Sequence, residues 1–151
     1  MEEEDPWSSP CRVWPSPPFQ ASWKLPGLVR ESLEEADKCL RAGAYSASAV
    51  MSGRAIEGMC VHFKTKGKGT TFAGGLKELR EAKIIDDRLF QWSEALREHR
   101  NLGAHAKPER ISAQAARDLF DFAVAICEYV FVLTEKFNLF MKRKSKNQPS
   151  Q

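Results

Sequence analysis

Between residues 119 and 140 the chain carries an apolar run long enough to pass for a membrane span, yet Asp121, Glu128 and Glu135 cut into it at seven-residue intervals. Seven residues are close to two helical turns, so the three carboxylates share one narrow stripe of a helix. A lipid-facing helix would bear a heavy penalty for those groups, and Lys136 adds a further charge. The run therefore reads as a bundle helix, buried where it meets its neighbours and charged along one solvent edge, and other helices must cover it.

The rest of the chain supplies them. After Pro26, the residues Val29, Leu33, Ala36 and Leu40 recur at helical spacing until Gly43 ends the segment. Residues 45–63 form a second helix crowded with Ala47, Ser48, Ala49, Ser52, Gly53, Ala55 and Gly58, small enough to let neighbouring helices approach closely. Arg54 and Glu57 stand out on it, because charges on so small-featured a helix should pair with each other at three-residue spacing or point toward a site. Residues 64–75 read as a Lys- and Gly-rich loop. Its Gly67-Lys68-Gly69-Thr70-Thr71 core lacks the glycine spacing of a phosphate loop, and no buried strand precedes it, which excludes a nucleotide triphosphatase. Residues 76–82 suggest a short helix. Asp86 or Asp87 caps another that carries Leu89, Phe90, Trp92, Ala95 and Leu96 onward, and Ser112 caps the long last helix, with an apolar face extending to Phe137. No strand pattern appears, so the expected fold is all-α: an up-and-down bundle of four long helices plus one short helix.

At 151 residues and 42% hydrophobic, the chain suits one domain, and its net charge of +3 permits a polyanionic partner without demanding one. The domain is expected over residues 26–141. Residues 1–25, rich in Pro and Trp, read as an arm laid on the domain through Trp7, Trp14, Phe19 and Trp23, and residues 142–151 read as a basic disordered tail. Cys11, Cys39, Cys60 and Cys127 show no close pairing, which indicates neither a zinc site nor a disulfide framework. The acidic start, Met1-Glu2-Glu3-Glu4-Asp5, is unlike a secretory signal, so a cytoplasmic protein with no membrane contact is expected.

Chemistry concentrates in residues 96–105, Leu-Arg-Glu-His-Arg-Asn-Leu-Gly-Ala-His. On a continuous helix Arg97, Asn101 and His105 fall four residues apart on one face, with Arg100 on a neighbouring flank. Guanidinium groups bind phosphate oxygens bidentately and an imidazole moves protons near neutral pH, a combination suited to phosphodiester chemistry.

These residues carry a resemblance. Arg100-Asn101-Leu102-Gly103-Ala104-His105 is similar to the arginine, polar residue, variable gap and histidine of the HEPN superfamily of small helical bundles. The wider layout, with Gly43 and Tyr45, then Arg54 and Glu57, then Arg97, Asn101 and His105, resembles its branch of uncharacterised function found alone or joined to restriction and phage-defence proteins. The likeness spans residues 26–137 and implies a HEPN-like fold. Active HEPN nucleases use the arginine close before the histidine, here Arg100; the uncharacterised branch keeps the earlier one, here Arg97, and this chain has both.

RNA cleavage by the 2′-hydroxyl needs a base, an acid and a cation for the developing charge. One imidazole does not easily serve as both acid and base, and HEPN nucleases are similar in being dimers with composite sites. The resemblance thus implies a homodimer in which His105 of each copy shares the proton transfers, Arg100 binds phosphate, Asn101 orients the histidine or the phosphate, and Arg97 adds charge. No metal or other cofactor is needed. The alternative is a non-catalytic dimerisation, nucleic-acid or protein-interaction module of a defence or restriction system. In that reading Asn101 and His105 cap the helix, Arg97 and Arg100 bind carboxylates, and His99 faces solvent.

Overall fold

Small residues on the second helix decide how the bundle closes. The computed structural model describes residues 17–63, 72–97, 99 and 110–146, which form α1 (Gly27–Arg41), α2 (Tyr45–His62), α3 (Phe72–Glu81), α4 (Asp87–Ala95), α5 (Ala113–Cys127), a π-helical stretch (Glu128–Leu133) and α6 (Thr134–Lys146). There is no strand among the described residues, and the helices pack as a bundle. Along α2 the residues Ser48, Ala49, Ser52, Ala55, Ile56, Met59 and Cys60 form one buried stripe. Ser48 Oγ donates across to the Ala36 carbonyl of α1 at 2.9 Å, and Ser52 Oγ donates back to the Ser48 carbonyl at 2.9 Å, so these hydroxyls are satisfied where the helices meet. A Cβ built at Gly58 would meet Leu28 and Val29 of α1 at 3.3 and 3.4 Å, the close approach that small residues permit.

The turn between α1 and α2 needs a left-handed residue, supplied by Gly43 at φ 74°. α5 fills the space between the pair with Phe122, Ile126 and Cys127 fully buried, and α4 leans on it through Trp92, whose ring meets Phe122 edge-on at 5.2 Å. Burial, with Glu57 and Glu78 nearby, pushes the Cys60 thiol up to about 12. Burial first, then Cys60 and Glu128, does the same for Cys127. Both side chains behave as small hydrophobes.

Four local expectations change. α3 begins at Phe72, not at residue 76, and takes in Gly74 and a buried Gly75, because packing beneath α2 overrides the low helix propensity of glycine. α3 and α4 are therefore both short, at 10 and 9 residues. The last helix continues through the π stretch, where Thr134 Oγ1 donates to the Tyr129 carbonyl five residues back at 3.0 Å, and on to Lys146. The basic run at residues 142–146 is thus helical, as lysine and arginine favour a helix C-terminus. Its apolar face is not covered to Phe137: burial stops at Val130, and α6 has no buried residue. Asp121, Glu128 and Glu135 do lie on the solvent side.

Residues 17–25 lie against the bundle. Phe19 meets Phe120 edge-on at 5.3 Å, Leu25 is buried, and Lys24 pairs with Glu135 at 3.0 Å. Trp23, expected as an anchor, is 79% exposed, with the Lys24 ammonium over its ring. Trp7 and Trp14 lie outside the described residues. No helix among the described residues is long and apolar enough to cross a membrane.

Candidate functional site

The segment that carries Arg97 is aimed by its neighbours. Asp86 caps α4 by accepting the Leu89 N–H at 2.8 Å, and Arg80 of α3 fastens the start of α4 twice, by a 2.6 Å pair with Asp87 and by lying over the Phe90 ring at 4.7 Å. Ser93 is buried and donates to the Phe90 carbonyl at 2.7 Å. α4 closes at Ala95, where the Leu96 N–H bonds the Trp92 carbonyl and the Leu96 side chain is buried. A turn at Leu96 thus interrupts the continuous helix expected to run from Trp92 into the motif, and Arg97 and His99 follow it in helical conformation.

Arg97 is exposed, free to present a permanent cation. His99 does not face solvent as the non-catalytic reading expects: it is half-buried, and its Nδ1 is shielded from water with no hydrogen-bond partner among the described residues. A shielded imidazole nitrogen without a partner is costly and rare in folded proteins. Arg100, Asn101 and His105 lie outside the described residues.

Arg54 and Glu57 are both exposed, on the face of α2 opposite its buried stripe. Among the described residues no ion pair joins them to each other or to another group. α2 packs on α1, α3 and α5, and α4 packs on α3 and α5, so within one chain α2 is not brought against the helix that leads to Arg97. The same outer face of α2 carries Val50 and Val61, 49% and 73% exposed. Sequence reasoning missed these two valines, although the spacing 50, 54, 57, 61 is itself a helical stripe.

An all-helical bundle with a cationic segment after its fourth helix defines the class. The chain matches the model of the Domain of unknown function (DUF4145) over residues 34–146, most of its length, and belongs to that family. No curated protein and no solved structure matches it.

Proposed function

We propose that this chain is a HEPN-like homodimer that cleaves RNA without a metal, at a composite site built from Arg100, Asn101 and His105 of both copies. The observation that carries the reading is the outer stripe of α2. A second copy laid antiparallel about a two-fold axis at the middle of that helix would set Val50 against Val61 and Arg54 against Glu57, twice each. Two apolar pairs at the ends and two opposite-charge pairs at the centre make the stripe complementary to itself, which gives exposed Val61 a partner and does the same for Arg54 and Glu57, which have no ion pair among the described residues. The reading requires both motifs to meet in one cleft across that axis. One His105 removes the 2′-hydroxyl proton while the other protonates the leaving 5′-oxygen, Arg100 holds the phosphate, Asn101 orients the reacting groups, and exposed Arg97 draws in the polyanion.

A second reading is a non-catalytic interaction module: the exposed charges of Arg54, Glu57 and Arg97 suit a partner surface equally well and require no proton transfer by His105. The two readings separate on one set of chains. Light scattering on Glu57→Arg, which sets arginine opposite the second copy's Arg54, should show monomer. The exchanged pair, Arg54→Glu with Glu57→Arg, should return to dimer. The parent should cleave RNA in the presence of chelator to products with 2′,3′-cyclic phosphate ends, and His105→Ala should not while staying folded and dimeric. A folded dimer that leaves RNA intact sinks the nuclease and leaves the module.

A further inference from the structure

α6 stands apart from the core. Among the described helices its backbone packs on none but the π stretch that precedes it, and its Phe137 and Phe140 are 59% and 53% exposed beside exposed Leu133 and Met141. Around them the helix carries Lys136, Lys142, Arg143, Lys144 and Lys146 against one carboxylate, Glu135, which Lys24 already neutralises at 3.0 Å. At its root lies a groove of about 660 Å³, in which the aromatic rings of Phe63, Tyr129 and Phe137 line one space with Lys83, Thr134 and Asn138. The Phe63 ring is held in place by stacking on Phe131 at 5.6 Å and 26°, with His62 edge-on to the same ring.

Exposed aromatic faces interleaved with cations suit one class of partner. Single-stranded nucleic acid offers bases that stack on rings and phosphates that replace small counterions. A membrane surface fits less well, because Leu139 lies on the side of α6 away from Phe137, nearly half of the helix is charged, and the aromatic groove is concave. A second copy laid α6 against α6 would set like charges together. We propose that α6 and the groove at its root bind single-stranded nucleic acid, with bases stacked on Phe137 and Phe140 and phosphates held by Lys142, Arg143 and Lys144. This surface goes beyond the proposed cleavage site and shares no residue with it. In the chain, α4 begins just past Lys83 and Ile84 of the groove, and its 9 residues, about 14 Å of helix, come before the motif.

The test uses the full chain carrying His105→Ala, so that binding is read without cleavage, and fluorescence anisotropy of a fluorescein-labelled single-stranded RNA of mixed sequence over a series of KCl concentrations. Phe137→Ala with Phe140→Ala should weaken binding by at least about tenfold at unchanged salt slope. Lys142→Gln, Arg143→Gln and Lys144→Gln together should lower the slope of log K against log salt by about 2. All of these side chains are exposed, so melting curves should match the parent and keep a folding defect from imitating the result. RNA binding that ignores all five substitutions overturns the inference. So does a chain that binds phosphatidylserine vesicles but not RNA, or a fall in oligomer mass on Phe137→Ala with no change in RNA affinity. Binding that depends on these residues, when the parent chain with His105 intact leaves RNA uncut, supports the surface and refutes only the nuclease.

Discussion

Asp37 is the buried carboxylate on which the N-terminal segment hangs, and its removal gives a direct measure of what that segment contributes. Oδ2 of Asp37 accepts the Phe19 N–H at 3.0 Å and Arg41 Nε at 2.8 Å, and Arg41 reaches on to the Pro17 carbonyl. Asp37→Ala leaves the Phe19 N–H without its acceptor, worth about 1–3 kcal/mol if the segment stays in place. The Arg41 pair adds about 0.5 kcal/mol, small because the arginine is partly exposed. If the segment instead lets go, its N–H returns to water, but Phe19 loses its edge-on contact with Phe120, about 0.5–1.5 kcal/mol beyond the apolar area it covers. Either route costs about 2–4 kcal/mol, a fall in melting temperature on the order of 6–12 °C for a chain of this size. Urea unfolding of Asp37→Ala, Phe19→Ala and the double variant is the assay. The double variant should cost about 1 kcal/mol less than the two single effects combined, since both act through the same docked segment. Asp37→Ala within about 0.5 kcal/mol of the parent, or strict additivity with Phe19→Ala, would refute the reasoning.

Two further outcomes follow from the geometry. Lys83 sits at φ 58° just past α3, where the Ile84 N–H bonds the Leu79 carbonyl at 2.9 Å, so Lys83→Gly should raise stability by about 0.5–1 kcal/mol in chemical denaturation. Cys60 and Cys127 stay protonated in the fold up to about 12, whereas an unfolded thiol ionises near 8.5. The folded chain therefore holds more protons above that point, and stability should be full below about pH 8.5 and fall from there toward pH 12, by at most about 1.4 kcal/mol per pH unit for each thiol. Melting curves across that range check the sign, and Cys127→Ala should flatten the slope.

The helices were legible where periodicity and caps agree. Val29, Leu33, Ala36 and Leu40 mark α1, Gly43 its end, and Asp86 and Ser112 the starts of α4 and α5, because each of these signals acts within one turn of chain. Of the candidate site, the cationic exposure of Arg97 matches its place on a polar face, while Arg100, Asn101 and His105 lie outside the described residues. Two features of the site could not be read from spacing. The shielding of His99 Nδ1 depends on which groups lie over it, and the solvent position of Arg54 and Glu57 depends on which face of a helix of uniformly small residues the bundle buries.

By itself the sequence determined the all-helical class and the solvent edge of the last helix. Heptad-spaced carboxylates in an apolar run admit one orientation whatever the neighbours are, since burying those charges costs more than any packing would return. Tertiary structure alone decided where burial ends. The apolar residues of α6 repeat the pattern of α5, but only α5 has α1, α2 and α4 beside it, so Phe122 is core and Phe137 is surface. Phe19 rather than Trp23 holds the N-terminal segment for the same reason: Phe120 and Asp37 lie within its reach, and hydrophobicity becomes burial only where the fold provides a neighbour.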